Sequence, residues 1–126
     1  MLWISFGAVL GANARFVVNR LAAHWFGTAF PYGTLIVNVA GCLAIGTVAA
    51  LVSGRLIDRP DVLRAFLMVG FLGSLTTFSA FAYETHGLLQ DGAWVRALLN
   101  VLLSVGAGLA GVRVGILLAP KLGSLL

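Results

Sequence analysis

Apolar residues in this chain come in long unbroken blocks rather than in the alternation of a strand or the one-sided stripe of a soluble helix. Four blocks stand out, from about Leu2 to His24, Tyr32 to Val52, Ala65 to Leu89 and Val95 to Ala119. Each has the length of about 20 residues that a helix needs to cross a hydrocarbon layer about 30 Å thick. The second block contains no charged residue. The connecting stretches read differently. Phe26–Pro31 is short, and Gly54–Arg64 concentrates Arg55, Asp58, Arg59, Pro60, Asp61 and Arg64, the composition of a turn at headgroup level. The pattern predicts an all-α integral membrane protein of four transmembrane helices. Residues 1–126 are expected to form a single domain, with no room among them for a separate soluble one.

Polar and glycine positions inside the blocks refine this picture. The third block is interrupted by Gly70, Gly73, Ser74, Thr76, Thr77 and Ser79. Glycine weakens a helix and hydroxyls compete for its backbone bonds, so a break that frees main-chain carbonyls is expected in the middle of this helix. At membrane depth such a break persists only where protein buries it or a cavity is lined by it. Gly7/Gly11 and Gly111/Gly115 have the G-x-x-x-G spacing that lets helices approach closely. A four-helix chain with little interior and two such faces is expected to pair with a second copy. Pro120 is expected to close the fourth helix.

Composition removes several function classes. Of 126 residues, 60% are hydrophobic and only 10% charged, against roughly a quarter charged in a typical soluble domain. The net charge of +4 would suggest nucleic acid in a soluble protein, but these cations sit near helix ends and suit lipid headgroups. The side holding both termini receives Arg55, Arg59, Arg64, Arg113 and Lys121, the other Arg15, Arg20 and Arg96. That small excess leaves two readings open: one fixed orientation, or insertion both ways with pairing of inverted copies. The single cysteine, Cys42, has no partner for a disulfide and reads as a packing residue. The first block lacks the basic leader of a secretory signal, since Arg15 and Arg20 follow it, and is expected to remain as a spanning helix.

An enzyme would need a nucleophile with its base, paired carboxylates or a ligand cluster, and none assembles. His24 and His86 are placed at loops, far apart in sequence. The interior offers neutral donors instead: Asn38 in the second helix, Thr77 and Ser79 in the third, Asn100 and Ser104 in the fourth. Such groups can hydrogen-bond a passing anion without trapping it, or serve as packing glue between helices. Thr34 and Asn38 lie one turn apart, as do Asn100 and Ser104, so each pair shares a helix face. Phe78 and Phe81 also share a face, where their rings either pack or turn positive edges towards an anion. Spacing alone favours packing. Arg15 is deep enough to need water or a partner, and could raise the potential at a pore vestibule. Glu84, the one acid inside a spanning block, suits a proton-coupling group, a pore mouth or a solvated helix end, position alone favouring the last.

Four stretches resemble the Fluc/CrcB family of fluoride channels: GFLGSLTTFSAF (Gly70 to Phe81) above all, then GANAR (Gly11 to Arg15), GTLIVNVAG (Gly33 to Gly41) and, less distinctively, NVLLSVGAG (Asn100 to Gly108). The resemblance implies an antiparallel, dual-topology homodimer in the bacterial cytoplasmic membrane, with two pores that export fluoride passively. It implies a structural sodium ion at the dimer centre, held by main-chain carbonyls of Gly73 and Thr76. It makes Asn38, Phe78 and Phe81 pore residues and puts Asn100 and Ser104 where the fourth helix lines the pore; on such a path the interior donors Thr77 and Ser79 are expected beside them, with Arg15 and Glu84 at the vestibule. Ala80 departs from the family pattern TTFSTF, which removes one hydroxyl from the polar track. Two other readings fit four short helices. A proton-coupled multidrug exporter would need a glutamate in the first helix, which has none. A non-transporting membrane subunit would use its glycines for packing alone.

Overall fold

The computed structural model describes residues 1–53 and 59–123. In chain order its elements are α1 (Leu2–Phe26), α2 (Tyr32–Ser53), α3 (Pro60–Leu63), a π-helical segment (Arg64–Leu72), α4 (Gly73–Leu75), α5 (Phe78–Gln90) and α6 (Trp94–Gly123). No strand occurs among the described residues. Four stretches are long and apolar enough to cross a membrane, Leu2–Phe26, Tyr32–Ser53, Pro60–Gln90 and Trp94–Lys121, and the chain is a multi-pass membrane protein. Of the predicted headgroup-level turn, residues 54–58, Arg55 and Asp58 included, lie outside the described residues. Pro60 then starts α3, where a missing N–H leaves no bond unmade.

Local chemistry sets the helix ends. α1 stops at Gly27, whose φ of +77° is a left-handed value that glycine adopts without strain, and whose N–H still reaches the Ala23 carbonyl at 3.0 Å. The turn between α5 and α6 uses Gly92 in the same way, at φ +72°. α6 differs from expectation at its end: it continues through Pro120 to Gly123. A proline so close to the terminus removes only one ladder bond, and few turns follow it to be disturbed. His86 likewise lies within α5 rather than in a loop.

α2 packs along α6, and α1 packs against the π-helical segment and α4. The glycines of the sequence motifs make these contacts. A Cβ on Gly7 would strike the Phe66 carbonyl oxygen, and one on Gly11 the Phe71 carbonyl oxygen and Ser74 Oγ. Gly46 and Gly115 do the same between α2 and α6, against the carbonyls of Val112 and Leu43. The G-x-x-x-G faces expected to meet a second copy are therefore occupied inside the chain. Lipid and apolar side chains differ little in polarity, so close backbone approach holds these helices together where water exclusion cannot.

Candidate functional site

The third span leaves helical geometry at two residues. Thr76 (φ −81°, ψ 152°) and Thr77 (φ −152°, ψ 118°) are extended, and α5 begins at Phe78 with Thr77 as its N-cap. The glycines do not supply this geometry, since Gly73 has helical angles (φ −63°, ψ −29°). Three interactions hold it. Thr77 N–H donates to Asn38 Oδ1 at 2.7 Å, Asn38 Nδ2 donates to the Thr77 carbonyl at 3.1 Å, and Ala80 N–H donates to Thr77 Oγ1 at 3.2 Å. Gly41, one turn after the asparagine, lets α2 come this close, because a Cβ there would overlap Thr76 Cγ2.

The break leaves the carbonyls of residues 73–76 without their helical partners, and for two of them the structure shows where the donor goes instead. In a continuous helix the N–H of residue 77 would bond the carbonyl of Gly73, and that of residue 80 the carbonyl of Thr76. Here the first is diverted to Asn38 and the second to the Thr77 hydroxyl.

A groove of about 340 Å³ opens beside the break. Asn38, Gly73, Thr76, Thr77, Phe78, Phe81 and Ser104 border it, together with Cys42 and Met68. The structure thus brings most of the sequence-predicted site residues to one place. Phe78 and Phe81 are in ring contact at 5.6 Å with an interplanar angle of 46°, and the Phe78 side chain is 79% exposed on the single chain. Ser79 does not line the groove, but its hydroxyl lies 3.2 Å from that of Thr77. Asn100 stands behind the groove at 1% exposure. Its Nδ2 donates to Thr85 Oγ1 at 2.8 Å, and its Oδ1 lies 3.5 Å from the Ser104 hydroxyl. Thr85 escaped the sequence reading. Its link to Asn100 crosses from α5 to α6, and no spacing within one helix reveals it.

A second cavity, of about 420 Å³, lies where the α1–α2 loop meets α5 and is bordered by Asn19, Thr34, Glu84 and Asp91 among others. Thr34 donates to Glu84 Oε1 at 2.8 Å, so Glu84 is a half-buried, bonded side chain rather than a solvated helix end. Its Oε2 is buried with no protein partner among the described residues. Asn19 and Asp91 are further residues that sequence spacing did not single out. Arg15 borders neither cavity; it sits half-buried on α1. Among the described residues, no three His, Cys, Asp or Glu side chains gather as a metal site would require.

Among the described residues, the interior polar groups of this multi-pass bundle are hydroxyls, amides and main-chain atoms with one carboxylate, a set that suits transport. Comparison with known proteins narrows the class. The family described as "CrcB-like protein, Camphor Resistance (CrcB)" matches residues 2–116, and the chain belongs to that family. It is 47% identical over 112 residues to a protein of Roseiflexus sp. (strain RS-1) named "Fluoride-specific ion channel FluC", an alignment covering 89% of this chain and 90% of the relative. Proteins of the same name from Chloroflexus aurantiacus (strain ATCC 29366 / DSM 635 / J-10-fl) and Hydrogenovibrio crunogenus (strain DSM 25203 / XCL-2) are 45% and 43% identical, each over 92% of this chain and over 91% and 87% of their own lengths.

Proposed function

We propose that this protein is a fluoride-selective channel that lets fluoride leave the cytoplasm passively across a bacterial cytoplasmic membrane. The observation that carries the reading is the groove at the break, where Asn38, Thr77, Phe78, Phe81 and Ser104 converge, joined to near-full-length identity with proteins named fluoride channels. Amide and hydroxyl donors and ring edges offer a small hard anion several weak contacts and no buried cation to trap it. Ser79 and Asn100 support the lining donors, while Arg15 and Glu84 belong to the vestibule in this reading.

The working unit is a homodimer of inverted copies with two pores. Main-chain groups freed at membrane depth need protein cover, yet Gly73, whose carbonyl has lost its ladder donor, and Phe78 are exposed on the single chain, and a second copy laid against this face provides that cover. A structural sodium ion at the centre of that dimer fits the donors present. The carbonyls of Gly73 and Thr76 are among those of residues 73–76 that the break leaves without ladder donors, and carbonyl oxygen suits a hard monovalent cation. Such an ion supplies a fixed positive charge that ties the two breaks together.

Purified protein in liposomes should release fluoride and retain chloride, with no proton-coupled cation transport. A tag at the C-terminus should be labelled from both faces of the same vesicles. Proton-coupled export of organic cations would establish the multidrug exporter instead, absence of any flux would favour the non-transporting subunit, and one-sided labelling would remove the inverted dimer.

A further inference from the structure

We propose that Thr85 is a positioning residue for conduction, one that fixes the orientation of the Asn100 amide and through it keeps the Ser104 hydroxyl available to an ion in the groove. The inference rests on the channel reading above.

Thr85 lies one turn after Phe81 on α5. Its hydroxyl donates to the Phe81 carbonyl at 2.7 Å, which commits its only proton. What it can offer across to α6 is a lone pair, and Asn100 Nδ2 donates to it at 2.8 Å. With the amide nitrogen drawn to α5, Asn100 Oδ1 must face the other way, towards Ser104. Asn100 is 1% exposed and has no water to turn to, so the two ends of its amide are not interchangeable.

The consequence falls on Ser104, which borders the groove. Its hydroxyl is 3.5 Å from Asn100 Oδ1, far beyond the 2.7–2.8 Å usual for an O–H···O bond. A hydroxyl held so loosely can swing to an anion in the groove and return to the amide oxygen when the ion has passed. An inverted amide would instead present its NH₂ to Ser104 and occupy the serine's lone pair, leaving the proton with no acceptor between ions. The chain of hydrogen bonds from Ser104 through Asn100 and Thr85 to the Phe81 carbonyl therefore has one direction, and Thr85 sets it.

The test is fluoride efflux from liposomes carrying Thr85→Val, Thr85→Ser, Ser104→Ala and the double variant Thr85→Val/Ser104→Ala. Thr85→Val keeps the shape and removes the acceptor, and efflux should fall roughly tenfold, the equivalent of about 1.4 kcal/mol or one lost hydrogen bond. Thr85→Ser should conduct as the parent does. Because Thr85 acts through Ser104, adding Thr85→Val to Ser104→Ala should slow efflux by less than twofold further. Should Thr85→Val not fold, Thr85→Cys, a weak donor and acceptor in the same space, takes its place with a smaller loss that Ser104→Ala again masks. Parent-like flux in the valine variant, equal loss in the valine and serine variants, or full additivity with Ser104→Ala would each overturn the assignment. A parent chain that passes no fluoride overturns the channel reading and this inference together, whereas fluoride-selective parent flux with any of those three results overturns the inference alone.

Discussion

Two side chains one turn apart on α2 reach into the third span, and they do different things there. Asn38 closes both ends of its amide on the backbone of Thr77, at 2.7 and 3.1 Å, so the main-chain groups of Thr77 are satisfied. Thr34 makes a single bond to Glu84 at 2.8 Å and leaves the other carboxylate oxygen buried without a protein partner among the described residues. The same helix face therefore carries a clamp and an open contact. A satisfied polar pair in an apolar surrounding rigidifies the chain, whereas an unsatisfied oxygen holds back capacity for an ion, a proton or a water. The comparison separates residues needed to build the channel from residues that adjust it.

Breaking the clamp should have the largest effect. Asn38→Leu strands the Thr77 N–H and carbonyl together, and at about 1–3 kcal/mol for each unpaired buried group the loss is about 2–6 kcal/mol. Asn38→Asp keeps an acceptor for the N–H but turns a second oxygen towards the Thr77 carbonyl, and should fall between leucine and the parent. Thermal unfolding in detergent checks the order. A leucine variant as stable as the parent would reduce the clamp to an incidental contact.

The clamp also shows what the sequence could and could not disclose. Four spans were legible because apolar blocks of sufficient length have few alternatives, and the density of Gly70, Gly73, Thr76 and Thr77 marked the region where the backbone becomes extended. The means were not legible. The glycines stay helical or pack against neighbours, and the extended geometry of Thr76 and Thr77 depends on an asparagine 39 positions earlier in the chain. The π-helical turns of Arg64–Leu72, the internal use of Gly7 and Gly11, and the link from Thr85 to Asn100 are hidden for the same reason: each depends on which helix lies alongside. Family resemblance identified Asn38, Phe78 and Phe81 as a group, where spacing alone had left each of them open to a packing role.

Next in size is the ring pair just beyond the clamp. Phe78→Ile and Phe81→Ile keep apolar bulk but remove the positive ring edge. Fluoride efflux should drop by at least tenfold in either variant while thermal stability changes little for Phe78, which is 79% exposed on the single chain. Unchanged efflux in both would return the rings to packing and leave the clamp as the only function of this region.

At the open contact the expected change is smaller and of opposite sign. Glu84→Gln retains an acceptor for Thr34, so stability should stay close to that of the parent. In the proposed vestibule role a carboxylate repels an arriving anion, and its neutralisation should raise fluoride entry roughly twofold at low salt. The gain should vanish near 1 M salt, where the screening length is about 3 Å. A gain that persists at high salt, or a loss of stability, would show that Glu84 belongs with the clamp as a structural group.

The smallest effect is expected at Thr76, and there the absence of an effect is informative. Its proposed contribution is a main-chain carbonyl freed because the Ala80 N–H goes to Thr77 Oγ1. The Thr76 hydroxyl itself donates backwards to the Leu72 carbonyl at 2.9 Å. Serine keeps both that hydroxyl and the carbonyl, so Thr76→Ser should match the parent in stability and in efflux. In the proposed reading, sodium held by such carbonyls would be part of the framework and would stay in place while fluoride moves. Efflux at clamped voltage should then be the same with sodium equal on both sides and with a steep gradient across the membrane. Flux that follows the sodium gradient would mean that the carbonyls of the break exchange their ion during each cycle, which makes the protein a coupled transporter and moves the break from the rigid side of the comparison to the working side.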